Sequence, residues 1–430
     1  MSRLLRTGLN TGGTAPRVVG GQGVHFQLSD GRRVLDGSNT GAPLGHAHPR
    51  MAEALHRAAT TPMVGEGWSW AGRDEAAETL MDFAFAGEPW AAALRFCLSG
   101  SEANDMALSL AQALTGREAL ATRERAYHGL TGLSRALTVQ PHWHGGLSRH
   151  TGGTQLPPVT TPVHILPGPD GAIYGGRPND PLRLADAPRT LAGTAAVLID
   201  YTQGGLYYDP AYQDAVAEAA RLAGTLWIAD EVVTGLGRAG RWFAFQGASS
   251  RPDIVTLGKG MAGVAAPAAA VVVSQRVLDM LQGTSWQNYG TLRGHPVAME
   301  CVRAYLHTIR DEGILGHVAS LESLYAQRLR EIAARHPGIA RIAGQGLHWT
   351  IELHGHGSWR DWRADTTETP IASKIAARAL ELGAVIGTSG ERDSLFLAPP
   401  LIITPGQSET LLAILDESLT LADTEAKTAA

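Results

Sequence analysis

The sequence predicts an α/β fold organised around a mostly parallel sheet, with a smaller α+β part assembled from both chain ends. Short apolar runs alternate with amphipathic helical stretches between residues 91 and 274. After His295 the apolar spacing becomes helical, whereas residues 24–36 carry the chemistry of a hairpin.

In chain order, residues 24–36 alternate apolar and polar side chains, and Asp30-Gly31 supplies the turn. Strand-like runs follow at 93–98, 195–199, 225–229, 254–257 and 268–273. Helical patterns at 102–114 and 211–222 lie between them, with Gly116 and Gly224 where C-terminal caps belong. Alternation of this kind buries a parallel sheet between helical layers. Residues 297–310 and 318–334 then read as helices, 346–353 and 394–398 as strands, and a terminal helix opens near Gln407. The expected division is an N-terminal segment of a small domain at 1–60, a large domain at 61–300, and the rest of the small domain at 301–430. The Ala/Lys/Thr-rich tail after Leu421 is expected to fray.

A hydrophobic content of 44% against 18% charged residues describes an ordinary globular chain. The net charge of -5 leaves no basic footprint, so neither nucleic acid nor an anionic membrane is an expected partner. Cys97 and Cys301 are too few for a disulfide framework and lack metal-type spacing, which favours a cytoplasmic setting. Residues 1–10 have no apolar core of a signal peptide. The most apolar run, 261–273, is too short to span a bilayer and contains Pro267, so a loop and a buried strand are expected there.

Three segments carry chemistry. In Ser99-Gly100-Ser101-Glu102 a strand ends and a helix begins, and free backbone N–H groups at such a junction seat phosphates. Alone, this is equally a Ser N-cap without a ligand. Asp230-Glu231 follows an apolar strand at its C-terminal end, where open α/β sheets bind ligands, although strand-end acids also cap turns. In Gly258-Lys259-Gly260 a lysine sits between glycines after a buried strand. Glycines admit close approach and desolvation makes a lysine nucleophilic, the alternative being a solvated turn lysine.

Together these segments resemble the class III (ornithine/ω-amino-acid type) aminotransferases, from about Val18 to Leu415. The likeness includes Gly45-His-Ala-His-Pro49, Ser99–Asn104, Ala126-Tyr-His-Gly129, Asp200-Tyr-Thr-Gln-Gly204, Trp227–Gly240, Asp253–Gly260, Gly290-Thr-Leu-Arg-Gly-His-Pro296 and Ala398-Pro-Pro-Leu401. The separation of Asp230 and Lys259 is similar to the family's. The resemblance implies the type I fold of pyridoxal-5′-phosphate (PLP) transferases and a homodimer with shared active sites. It implies that Lys259 carries PLP as a Schiff base and moves a proton, and that Asp230 keeps the pyridine nitrogen protonated. Tyr127 and Val232 would cover the two ring faces and Gln203 would lie near the ring hydroxyl. Gly100 and Ser101 would hold the phosphate, joined by Thr291 of the neighbouring subunit.

Other motifs are weaker. Gly235-Leu-Gly237-Arg-Ala-Gly240 matches a dinucleotide fingerprint but lacks the long helix that should follow. The His46/His48 and His142/His144 pairs have no matching Cys or carboxylate cluster, so no metal is expected. Trp68 and Trp70 are expected either to pack in a core or interface or to wall a substrate entrance.

The chain also departs from its family. Asp200-Tyr-Thr-Gln203 stands where many members have Glu-Pro-Val-Gln, and His295 replaces a frequent Asn. Phe396 occupies the place where members acting on α-amino acids often carry an Arg for the carboxylate, and Arg392 is a possible substitute. The expected activity is transfer of an amino group between a donor amine and an aldehyde or ketone, leaning to amino sugars of the aminoglycoside type. The alternative is a PLP-dependent lyase, aminomutase or epimerase on the same substrate class.

Overall fold

The structure, a computed structural model, describes residues 17–140, 159–169, 171–175, 181–201, 210–354, 369–388 and 393–429. The chain opens with β1 (Val18–Gln22), β2 (His25–Leu28) and β3 (Arg33–Asp36), and β2 and β3 pair antiparallel as the expected hairpin. Gly31 takes the turn at φ +88°, a left-handed conformation that a side chain would oppose. Two helices follow, α1 (Pro49–Ala58) and α2 (Ala71–Ala84), which pack against a later helix.

The central sheet is made of β4 (Ala91–Cys97), β5 (Leu120–Arg123), β6 (Val163–Leu166), β7 (Ala196–Asp200), β8 (Leu226–Asp230), β9 (Ile254–Leu257) and β10 (Ala269–Ser274), in the order β4-β10-β9-β8-β7-β5-β6. From β9 to β6 every pairing is parallel, whereas β10 runs antiparallel to both neighbours. The sheet is therefore mixed, and mostly parallel as expected. Between its strands run α3 (Gly100–Thr115), α4 (Gly132–Ala136), α5 (Ala187–Leu191) and α6 (Pro210–Ala223), and α7 (Gln275–Met280) follows β10. Gly116 and Gly224 take the expected left-handed positions behind α3 and α6, at φ +65° and +63°.

Strand alternation divides the core into two layers. Leu198, Ile228, Ile254 and Val271 face α3, meeting Met106, Ala107 and Leu110. Val197, Trp227, Val255 and Val272 face the other way, toward Phe243, Phe245 and Tyr305. Burial on both faces explains why these strands read as continuous apolar runs.

After the sheet come α8 (Pro296–Asp311) and α9 (Ile314–Arg335), then β11 (Ile339–Gln345), β12 (His348–Leu353), α10 (Ile371–Leu382), β13 (Ala384–Val385), β14 (Gly387–Thr388), β15 (Ser394–Leu397) and α11 (Pro405–Ala429). Chain ends meet here, because β13 pairs in parallel with β3. The C-terminal tail departs from expectation: α11 continues to Ala429 instead of fraying after Leu421. Ala, Glu and Lys in that stretch favour helix, and Asp423 docks on the ring of His336 at 2.6 Å. Among the described residues no helix is long and apolar enough to cross a membrane.

One buried group ties the end of β8 to the turn beyond it. Glu231 is 1% exposed; the Thr234 hydroxyl donates to its Oε2, and the Phe245 N–H donates to Oε1 at 2.8 Å. Burial pushes its carboxyl from an ordinary 4.5 up to about 7. Between those values the native chain keeps a proton that the unfolded chain has released, so this group's stabilisation is complete below about pH 4.5 and fades as pH rises through about 7. Urea unfolding at pH 5 and pH 7.5 is predicted to show a loss of up to about 3 kcal/mol from this source in the native sequence. Glu231→Gln should remove that part of the slope, and an unchanged slope in the variant would refute the assignment.

Candidate active site

The C-terminal ends of β7, β8 and β9 and the N-terminus of α3 enclose a cavity of about 410 Å³. Six of the eight sequence-predicted site residues line it: Gly100, Ser101, Tyr127, Asp230, Val232 and Lys259. Gln203 lies outside the described residues. Thr291 is exposed and does not line the cavity; its carbonyl accepts the Glu66 N–H at 3.2 Å.

Helix α3 presents its N-terminus to the cavity. The Ser99 hydroxyl accepts from Glu102 N–H at 3.2 Å, and the Gly100 and Ser101 N–H groups are the first-turn donors left without helical acceptors. Glycine is required at Gly100, since a Cβ there would stand 2.5 Å from Val232 Cγ1. The Tyr127 segment crosses in front, and burial, followed by the charge of Asp230, pushes the Tyr127 hydroxyl up from its ordinary pKa.

Asp230, at the end of β8, is 5% exposed and held by three donors. Asn104 Nδ2 reaches its Oδ2 at 2.8 Å, His128 Nδ1 reaches the same oxygen at 2.7 Å, and Val232 N–H reaches Oδ1 at 3.1 Å. The part played by Asn104 and His128 was not read from the sequence, although both lie inside quoted motifs. The available signals were an Asn, a poor helix former, inside a helix and a His directly after Tyr127.

Asp200 stands beside Asp230 in register on β7. The wholly buried Arg123 of β5 binds its carboxylate at 2.8 Å and its carbonyl at 3.0 Å. A shorter acid in place of the family's Glu is thus matched here by a neighbouring arginine.

Lys259 follows β9 in a 3-10 turn, with φ +44°, a strained value for a side-chain-bearing residue. Its side chain is open to the cavity it helps to line. Burial holds the amine below the ordinary lysine pKa, and the charges of Asp230 and Asp200 oppose that shift.

The remaining motifs resolve into local structure. The glycines at 235–240 form a turn followed by a short 3-10 segment, Ala244–Gly247, with no long helix. His46 bonds Asp36 at 3.0 Å, and His142 and His144 lie outside the described residues. Trp70 folds over the start of α2, where a Cβ on Gly72 would come within 2.3 Å of its ring, and packs on the core. Trp68 is 71% exposed. Neither Trp lines the cavity within one chain, and of the two expected roles Trp70 takes the packing one. Phe396 lies on β15 with its ring stacked on His348, centroids 6.0 Å apart. Burial pushes the His348 imidazole down to about 3, aided by the charges of Arg238 and Lys259, so it is neutral at physiological pH. The nearby Arg238 donates to the carbonyls of Leu347 and Pro399. Arg392 lies outside the described residues.

The lining suits PLP: helix-terminal N–H donors for a phosphate, a carboxylate already held by three hydrogen-bond donors, and an amine disposed to react. Residues 12–419 match the model of the family described as Aminotransferase class-III. The chain is 30% identical over 426 residues to an alanine–glyoxylate aminotransferase 2-like protein of Drosophila melanogaster, covering 94% of this chain and 82% of that one. It is 29% identical over 418 residues to an ethanolamine-phosphate phospho-lyase homolog of Caenorhabditis elegans, covering 90% and 85%. The S-selective transaminase structure from Arthrobacter sp. superposes with a TM-score of 0.90 at 26% identity, covering 98% of this chain and 96% of that one. The chain belongs to the class III aminotransferases and has their type I fold and their dependence on PLP.

Proposed function

We propose that this enzyme transfers an amino group between a donor amine and an aldehyde or ketone on an uncarboxylated, sugar-like scaffold, in the manner of the aminoglycoside-biosynthesis branch. The observation behind the substrate class is Phe396, which stacks on an uncharged His348 and supplies no cation of its own at the position read as a carboxylate clamp. Neither residue lines the cavity, and the cation acting most strongly on His348 is the buried Arg238. A carboxylate buried out of reach of a cation would cost on the order of several kcal/mol.

In this reading PLP, when bound, supplies an electron sink for the pair released at the amine-bearing carbon. Lys259 holds the cofactor covalently and moves the proton at that carbon. Asp230 would hold the ring-nitrogen proton, Tyr127 and Val232 would cover the two faces of the ring, and Gln203 would serve the ring hydroxyl. The N–H groups of Gly100 and Ser101 bind the phosphate. Thr291 adds a hydroxyl from the neighbouring subunit of a homodimer. Support for that dimer comes from exposed Trp68, Tyr289 and Leu292, brought into one region where the Glu66 N–H donates to the Thr291 carbonyl and the Gly290 N–H donates to the Glu66 carboxylate. The small domain is taken as 1–60 with 301–430 and the large domain as 61–300. A cytoplasmic setting accords with two buried, unpaired cysteines.

A phospho-lyase among the relatives favours elimination as the second reading, since the same electron sink serves both reactions. The two readings and the substrate class are separated by mixing the yellow holoenzyme with matched concentrations of different amines. We predict that amino sugars discharge the visible cofactor band faster than ornithine, 4-aminobutyrate or alanine and yield the pyridoxamine form. Faster reaction with those carboxylated amines would reject the substrate class. Product formation without any pyridoxamine form would reject transamination.

A further inference from the structure

We propose that Asn104 is a positioning residue that registers the two ends of the cofactor site, tying the phosphate-binding end of α3 to the carboxylate of Asp230. This rests on the reading of Asp230 as partner of the ring nitrogen.

Asn104 sits one turn into α3 and is 1% exposed. Its Nδ2 lies 2.8 Å from Asp230 Oδ2 and 2.8 Å from the His128 carbonyl oxygen. A carbonyl and an ionised carboxylate only accept, so the amide nitrogen must face them and the amide oxygen must face the other way. There the Thr256 hydroxyl donates to Oδ1 at 2.6 Å. Both amide hydrogens and the amide oxygen are thereby used. One side chain thus links α3, the end of β8, strand β9 and the loop that carries Tyr127. An Asn is a poor choice for a helix interior and costly to bury unless bonded, so local structure gives no reason for it.

The arrangement also orients Asp230. Among the described residues, its Oδ2 takes two donors, Asn104 and His128, whereas Oδ1 takes only the Val232 N–H at 3.1 Å. The acceptor capacity left for a ring nitrogen is therefore on Oδ1. The His128 ring is itself braced, with Nε2 2.9 Å from Thr122 Oγ1.

Two variants test this in reconstituted holoenzyme, with Asp230→Asn as reference. Asn104→Asp keeps the shape but sets a second carboxylate against Asp230, and like charges so close cannot both stay ionised. Thr256→Val keeps the volume but releases the amide oxygen. We expect Asn104→Asp to lower kcat about 10- to 100-fold, as for other residues that orient a directly acting group, with the amine KM little changed. The pH titration of the visible cofactor band should shift in the direction seen for Asp230→Asn, and Thr256→Val should shift it partway. If Asn104→Asp does not fold, Thr256→Val decides alone. Cofactor-loaded variants that titrate like the native enzyme would reduce Asn104 to a packing residue and overturn the inference. An unmoved titration in Asp230→Asn would instead remove the reading of Asp230 on which the inference stands.

Discussion

Two buried carboxylates end adjacent strands of the central sheet, and the way each is compensated sets the character of the site. Neighbouring strands lie about 4.8 Å apart, a separation at which like charges repel by roughly 3–4 kcal/mol at an effective dielectric of about 20. Asp200 is matched by the full charge of Arg123, reaching from β5. Asp230 is matched by an amide, an imidazole N–H and a backbone N–H, which stabilise its charge and cancel less of it. The first carboxylate lines the cavity with its charge already engaged in an ion pair. The second lines the same cavity with hydrogen-bond donors and no full cation against it.

Lys259 answers to the same pair. Depth in the protein lowers its proton affinity while the two acids raise it, so the balance depends on how much of their charge remains. Its left-handed backbone adds strain of about 1–3 kcal/mol, which the surrounding packing must offset. Gly260 next to it lies against Pro43, where a Cβ would stand 3.1 Å from the proline ring. The strained turn is therefore held by the N-terminal segment as well as by the sheet.

Much of this was legible in the sequence, for physical reasons. Strands β7 to β10 are buried on both faces, which forces continuous apolar runs that betray them. Strands β5 and β6 escaped because four residues containing Thr122-Arg123, or His164, do not read as a run. The reversed direction of β10 leaves no mark in composition at all. Lys259 and Asp230 were legible because their segments pair residue type with strand ends. The bonds of Asn104 were not, because they join residues far apart in the chain and only the folded sheet brings them together. Trp68 and Trp70 look equivalent in sequence, yet one packs on the core and the other faces solvent, since the turn into α2 separates them.

The central claim is that the amine of Lys259, set over the sheet end beside Asp230, is the covalent anchor of the cofactor. Borohydride reduction of the holoenzyme, followed by proteolysis and mass spectrometry of the labelled peptide, tests it most directly. The account predicts a stable phosphopyridoxyl adduct on Lys259 and none in a Lys259→Ala variant. A label on any other lysine, or none in enzyme that retains its cofactor, would contradict it.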